Sequence, residues 1–253
     1  IEQVWFAGVH ANVGGGYPKH GMSLVTLDWM LHKAGETDLL FNTHDHENFT
    51  EHQNVNDKLY DSRAGVKSIY RYTPRNIGPL CARHGVTPRI HLSAFQRIAQ
   101  STEGYAPGNV PNTLEVVENT GNTPTCQAVQ KLMRESLDMT PSLLSKVGAE
   151  IALRITTHIA QLAILFFLFA MYLVDNSSNA DIWTVIMGLF SVNGLIALVV
   201  YAIKQYWWLI AAAILLYIAS TLAESRMKTI FSEFYHGLLK RLRKIFDLTN
   251  ESV

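Results

Sequence analysis

A histidine at the end of an apolar run is the residue of this sequence best placed to do chemistry. Residues 2–10, EQVWFAGVH, are mostly bulky, β-branched or apolar and end in Gly8-Val9-His10. Such a run predicts a strand buried in a parallel sheet. Sites in open α/β sheets lie at the carboxyl ends of strands, and imidazole is the commonest general base. His10 is therefore a candidate catalytic base. The residues alone equally allow a histidine that is hydrogen-bonded to its own loop.

The residues after His10 predict a loop that could approach a substrate closely. Asn12 begins the segment NVGGGY, in which Gly14, Gly15 and Gly16 cannot continue a regular strand. Glycines let backbone N–H groups come near a substrate or form a pocket wall. A phosphate-binding P-loop is excluded, because no Lys-Ser or Lys-Thr pair follows the glycines.

Two further groups of polar residues are candidate sites. His91 is a second candidate for site chemistry, although a polar residue at a predicted helix start more often caps or packs. The other group lies in one polar run: His44, Asp45, His46, Glu47, Glu51 and His52. Its spacing matches no zinc pattern, so the run predicts a solvated loop. The sequence predicts no metal and no other cofactor.

Length, charge and cysteine content limit the alternatives. The 253 residues leave room for one domain and an appendage, and the formal net charge of zero gives no reason to expect a nucleic-acid partner. Cys81 and Cys126 form no C-x-x-C motif. The chain contains no G-x-S-x-G nucleophile elbow. It starts at Ile1 within an apolar run, from which we expect further sequence upstream.

Several elements are predicted around these residues. A helix capped by Ser23 should end near Gly35, since its apolar positions recur at helical spacing. The alternation in residues 68–72 indicates a strand. A further helical stretch should begin in residues 89–93 and continue through Arg97.

The second half of the sequence predicts a membrane region. Residues 155–174, 183–203 and 207–222 form three apolar runs, and in residues 155–222 only Asp175, Asp181 and Lys204 are charged. Runs near 20 residues match the thickness of a bilayer. Tyrosine and tryptophan lie at the ends of the runs, where headgroups favour them.

The distribution of charged residues does not give a single orientation of the three runs in the membrane. The loop of residues 175–181 has no Lys or Arg, whereas basic residues precede the first run and follow the third. The positive-inside rule then places both flanks in the cytoplasm, which three crossings do not allow. The third run is either re-entrant or interfacial, or the tail faces outward. We favour an integral protein of a bacterial inner membrane with a cytoplasmic soluble domain.

A tail helix follows the third run. Its apolar residues recur every three or four positions, and basic residues gather near its end. The tail is predicted to lie on the membrane surface, or alternatively to pack on the protein's own helices. The stripe comprises Met227, Ile230, Phe231, Phe234, Tyr235, Leu238, Leu242, Ile245 and Phe246.

Residues 1–111 resemble a known family. The motifs VWFAGVHANVGGGY with SLVTLDWM, then LYDSRAG, YRYTPR, IHLSAFQR and GYAPGNVP, occur in the same order in an α/β-hydrolase family that includes type VI secretion phospholipase effectors. The resemblance implies a serine hydrolase whose triad histidine closes a G-V-H strand, which is His10 here. The serine and the acid are then expected upstream of Ile1. Relatives often have Asp where this chain has Asn12.

Together these observations predict the C-terminal portion of an α/β-hydrolase-like domain followed by an all-α transmembrane region. The expected parts are residues 1–111 (hydrolase portion), 112–154 (linker and lead-in helix), 155–222 (two to three transmembrane helices) and 223–253 (basic amphipathic tail). The resemblance implies a membrane-anchored esterase or phospholipase, with membrane lipid as substrate and the bilayer as partner. An inactive binding or sensing protein on the same scaffold is the alternative. Neither substrate specificity nor oligomeric state follows from the sequence.

Overall fold

The computed structural model describes residues 2–37, 39–60, 75–138, 143–177 and 182–247. They divide into two compact units. We call the first, the described residues of 2–147 together with 228–247, the sheet unit. We call the second, the described residues of 148–227, the apolar unit.

The sheet unit contains a small parallel sheet. Strands β1 (Val4–Trp5), β2 (Arg89–His91) and β3 (Glu115–Val117) lie in the order β1-β2-β3, with Trp5 opposite Ile90 and Ile90 opposite Val116. The Arg89 side chain, on the central strand, pairs with Glu2 on one side and Glu115 on the other. Parallel strands need long crossover connections, and here helices supply them.

The helices of the sheet unit are mostly short. They are α1 (His10–Gly14), α2 (Gly21–Gly35), α3 (Thr43–His52), α4 (Ile77–Ala82), α5 (Leu92–Ala99), α6 (Pro124–Asp138) and α7 (Leu143–Lys146), with a 3-10 turn at Thr102–Gly104.

The first strand is shorter than the apolar run predicts. Only Val4–Trp5 pairs with β2, and His10 is already the first residue of α1. Gly8 interrupts the extended backbone with φ +113°, a conformation that residues with a Cβ rarely adopt. The prediction of a buried strand over residues 2–10 is therefore correct only for a strand at Val4–Trp5, and both of its residues are half-buried.

Helix α2 ends at Gly35 as predicted but begins before Ser23. Ser23 is the third helical residue, and its hydroxyl donates to the His20 carbonyl at 2.8 Å instead of capping the helix. The polar run after α2 is a helix, α3, and not the predicted loop. Its cap is Asn42, whose side chain accepts a hydrogen bond from the backbone N–H of His44 at 3.1 Å.

The predicted helical stretch at residues 89–93 is a strand in its first part. Arg89–His91 pairs on both sides within the sheet, and the helix begins at Leu92. The predicted strand over residues 68–72 and the LYDSRAG serine, Ser62, lie outside the described residues.

The core of the sheet unit lies between the sheet and helices α5 and α6. Buried residues recur at helical spacing in both helices, as Phe95 and Ile98 on α5 and Val129 and Met133 on α6 show. Each such side chain stabilises the fold by about 1.5–3 kcal/mol when fully buried. The side chain of Gln130 accepts a hydrogen bond from the Val116 N–H at 3.0 Å.

The tail helix belongs to the sheet unit. Phe231, Tyr235 and Leu242 are buried. The Tyr235 hydroxyl donates to the Pro107 carbonyl at 2.9 Å, and Arg243 Nε donates to the Ala99 carbonyl at 2.9 Å. The apolar stripe thus packs on the protein itself, which was the alternative to a position on the membrane surface.

The apolar unit is helical. It contains α8 (Gly148–Ser177), α9 (Ile182–Leu189) and the first part of α10 (Val192–Ile245). By length and composition, α8 and α10 could each cross a membrane, and only 11% and 6% of their most apolar stretches is buried. This agrees with the predicted membrane region, although two such helices are weak evidence on their own.

The boundaries of the helices in the apolar unit do not coincide with those of the three apolar runs in the sequence. A turn at residues 190–191 splits the second run between α9 and α10, and Gly194 there lies against the Gly188 carbonyl with no room for a Cβ. The second and third runs are joined in α10, where Tyr206 has non-helical angles (φ −133°, ψ 35°). Arg154 on α8 pairs with Glu224 on α10 at 2.9 Å.

Candidate functional site

His10 lies five residues beyond the end of β1, on the side of the sheet where all three strands end. It is the first residue of α1, and its side chain is exposed. No side chain among the described residues forms a hydrogen bond with its imidazole. The ring is therefore accessible to a substrate and to a partner residue.

Asn12 fixes the turn that carries His10. The Asn12 side chain is 3% exposed, and its Oδ1 accepts a hydrogen bond from the Val9 N–H at 3.3 Å. Its Nδ2 donates to the Lys58 carbonyl at 3.2 Å. Asn12 therefore joins α1 to the segment near Lys58 and restricts the position of His10, which the sequence pattern did not indicate.

The three glycines follow directly. Gly14 ends α1, and Gly15 has φ +88°, which reverses the chain before α2. Gly14 and Gly16 are exposed, and a Cβ built on Gly14 would meet no atom within 4 Å. The backbone beside His10 is thus open to solvent, as a substrate-contacting loop requires.

His91 ends β2 and is buried, with 5% of its surface exposed. Nδ1 accepts from the Ser93 hydroxyl at 2.8 Å and from the Ser93 N–H at 3.3 Å, so His91 caps α5. Nε2 can then donate to Asn119 Oδ1 at 3.2 Å, and the ring stacks on Phe6 with centroids 4.6 Å apart. These contacts leave the imidazole no free nitrogen for a substrate.

The surroundings keep His91 neutral. Burial lowers the pKa of its imidazole to about 4, and it outweighs the hydrogen bond to Asn119 and the charge of Asp28, which raise the pKa. His91 is thus held within the protein near the strand ends, whereas the side chain of His10 is exposed.

Arg97 holds the segment that contacts Asn12. Its side chain is fully buried on α5, and Nη1 donates to the carbonyls of Val55 and Asp57 at 2.7 Å each. Nη2 pairs with Glu103 at 2.9 Å. Burial lowers the pKa of the guanidinium, although the charge of Glu103 opposes the shift. Arg97 thereby fixes the segment whose Lys58 carbonyl holds Asn12.

The structure also brings together a polar cluster that the sequence analysis missed. Asp28 on α2 is buried, and its carboxylate lies 3.1 Å from His46 Nε2 and 3.6 Å from His32 Nδ1. Of these three residues only His46 was in the polar run considered for metal binding. The i,i+4 spacing of Asp28 and His32 was the available signal, but nothing in the sequence pairs α2 with α3.

A cavity of about 440 Å³ lies beside α4 and the loop of residues 108–113. None of His10, Asn12 and His91 lines it. The cavity therefore adds no residue to the candidate site at the strand ends.

Comparison with known proteins supports one relationship. Residues 1–33 match the family model described as T6SS, phospholipase effector Tle1-like, catalytic domain. The match contains β1, α1 with His10, the glycine segment and most of α2. No curated protein and no solved structure matches the chain. The predicted resemblance to type VI secretion phospholipase effectors is thus supported over residues 1–33, and beyond residue 33 it stays a prediction.

Proposed function

We propose that this chain carries the base-bearing part of a membrane-anchored phospholipase of the α/β-hydrolase type. The observation that carries the proposal is the family match over residues 1–33, a segment that contains the G-V-H motif and the glycine loop. A serine hydrolase of this type would cleave the acyl esters of a phospholipid, so the proposed substrate class is membrane phospholipid.

In this proposal His10 is the general base of a Ser-His-acid triad. It takes the proton of the serine hydroxyl as the serine attacks the ester carbonyl, and it then protonates the leaving alcohol. The serine and the acid would belong to sequence N-terminal to Ile1. The exposed imidazole and the turn fixed by Asn12 support this role, because a base must be accessible and rigidly held.

The glycine loop would form one wall of the substrate site. Gly14, Gly15 and Gly16 lie beside His10 in sequence, and their backbone is partly or fully open to solvent. His91 would support the pocket by packing against Phe6 rather than by contacting the ester.

We further propose that α8 and α10 anchor the protein in a bacterial inner membrane, with the sheet unit in the cytoplasm. An anchor would hold the site near its lipid substrate. The domain limits at residues 111, 154 and 222 belong to the same proposal.

The test uses the full-length protein in phospholipid vesicles, with release of fatty acid as the readout. Replacing His10 by alanine should reduce the rate by at least about 1000-fold, since loss of a triad member removes most of the catalysis. His84→Gln, at an exposed histidine of the sheet unit, is the matched control and should keep full activity.

Two results would contradict the proposal. Full activity of the His10→Ala variant would exclude His10 from the mechanism. Absence of activity from the unaltered full-length protein toward phospholipids would favour the alternative, an inactive binding or sensing protein on a hydrolase scaffold.

A further inference from the structure

Asp28 is a buried carboxylate that contacts histidines rather than a lysine or an arginine among the described residues. It is 5% exposed, and among the described residues neither a lysine nor an arginine pairs with it. Buried carboxylates are almost always paired with a cation or bound to a metal ion. The side chains within reach of Asp28 Oδ1 are the imidazoles of His32 and His46 and, at 3.5 Å, the hydroxyl of Thr50.

The three side chains have the spacing of a metal site. Asp28 and His32 stand one turn apart on α2, and His46 reaches them from α3. One ligand atom of each residue lies within 4.8 Å of the other two. Tetrahedral Zn²⁺ with bonds of about 2.0–2.2 Å needs ligand atoms roughly 3.4 Å apart. The distances of 3.1 and 3.6 Å from Asp28 Oδ1 already bracket that value.

A second group orients the carboxylate. Asn119 Nδ2 donates to Asp28 Oδ2 at 2.6 Å, which leaves Oδ1 directed toward the imidazoles. Asn119 is itself held by His91. Partners of this kind fix the ligands of metal sites and raise metal affinity by about 10–100-fold.

We propose that Asp28, His32 and His46 bind a divalent transition-metal ion, Zn²⁺ in the first instance, with a fourth coordination position open to water. Both histidines bind as neutral imidazoles and Asp28 as the carboxylate. If His32 binds through Nδ1, that nitrogen gives up its 3.1 Å contact with the Asp28 carbonyl.

The ion would join α3 to α2. Helix α3 is polar and largely exposed, and the Asp28–His46 contact is one of its links to α2. The role assigned to the metal is therefore structural stabilisation of the α2–α3 pair. It is independent of the proposed ester hydrolysis.

The experiment uses the full chain without a histidine tag, in detergent, after removal of metal by a chelator. Zn²⁺ titration by calorimetry should give one site per chain, and Co²⁺ should give the visible absorption of a low-symmetry complex. At 100 times the dissociation constant, Zn²⁺ should raise the thermal midpoint by roughly 5–10 °C.

Variants assign the site. His32→Gln and His46→Gln should each weaken Zn²⁺ binding by at least about 100-fold and abolish the thermal shift. His44→Gln, on the exposed surface of the same helix, is the matched control and should bind as the unaltered chain does. Far-ultraviolet circular dichroism without metal verifies that each variant folds.

Undiminished binding in both His32→Gln and His46→Gln would overturn the proposal. So would the absence of saturable Zn²⁺ binding by the unaltered chain.

Discussion

At the scale of single residues, the protonation state of His91 is determined by the groups that surround its ring. The ring lies between Phe6 and the start of α5, and both nitrogens are used within the protein. Its environment thus selects the neutral form. Such a histidine makes the stability of the fold depend on pH even though it takes no part in the proposed chemistry.

The first prediction concerns that dependence. The pKa of His91 is lowered to about 4 by burial in the folded chain, whereas an unfolded histidine titrates near 6.5. Between these values the unfolded chain binds a proton that the folded chain does not bind. The contribution of His91 to the free energy of unfolding is therefore complete above pH 6.5. It is lost as the pH falls toward 4, by roughly 3 kcal/mol in total.

Urea unfolding of the full chain from pH 7 to 4, with a chelator present, measures this effect. His91→Gln should flatten the pH dependence by about that amount, and His84→Gln should leave it unchanged. An equally steep loss of stability in His91→Gln would show that another group is responsible.

Sequence reasoning reached some of these residues and not others. The proximity of His10 to the glycine loop could be predicted because they are adjacent in sequence, whereas their role at a catalytic site stays a prediction. The cluster around Asp28 could not be predicted, because its members come from different elements and meet through tertiary packing.

At the scale of elements, local signals account for both the correct and the wrong predictions. Helix α2 ends at Gly35, where its apolar periodicity stops. Helix α3 was predicted to be a loop because its residues are polar, yet Asn42 caps it and was the available helix signal. The first strand ends early because Gly8 and Asn12 form a turn that hydrophobicity does not indicate.

The packing of the tail helix on the sheet unit includes a close contact between the ring of Phe231 and the backbone of Gly108. A Cβ built there would overlap the ring of Phe231, which is buried on the tail. Gly108→Ala should therefore destabilise the sheet unit by about 1–3 kcal/mol, the usual cost of overpacking. Chemical denaturation of the full chain measures the change.

Gly237→Ala is the matched control for this second prediction. Gly237 lies on the same helix, and a Cβ there meets no atom within 4 Å. The alanine should stabilise the helix by up to about 1 kcal/mol. If Gly108→Ala were as stable as the unaltered chain, close packing at this contact would not hold the tail.

At the scale of the whole molecule, the sheet unit is discontinuous in sequence. Residues up to 147 and residues from 228 onward belong to it, and the apolar unit is inserted between them. Both ends of the apolar unit therefore continue into one compact unit. If the apolar unit spans a bilayer, it must cross an even number of times, which removes the conflict raised by three apolar runs.

The third prediction follows from this topology. Single cysteines placed at Glu47 and Lys240, both exposed in the sheet unit, should react with a membrane-impermeant maleimide from the same side of sealed vesicles. A cysteine at Ser177, at the end of α8, should react from the opposite side.

Labelling after detergent solubilisation is the control, in which all three cysteines should react. The native Cys81 and Cys126 are buried and should give a low background. Reaction of Lys240→Cys and Glu47→Cys from opposite sides would contradict an even number of crossings.

The long apolar helices of residues 155–222 could be predicted because hydropathy is a local property of the sequence. The return of the tail to the sheet unit could not be, because an amphipathic stripe fits a bilayer surface and a protein surface equally well. Only specific contacts, such as that of Tyr235 with Pro107, decide between the two.

The discontinuous sheet unit also sets an order of events on the ribosome. The carbonyls of Ala99 and Pro107 receive their partners from residues 243 and 235, and these are made only after the whole apolar unit. At roughly 5–20 residues per second, the 80 residues from 148 to 227 take about 4–16 seconds to synthesise. During that interval the nascent chain displays an incomplete apolar surface, so translation arrested before residue 228 should leave a product that chaperones retain and proteases degrade.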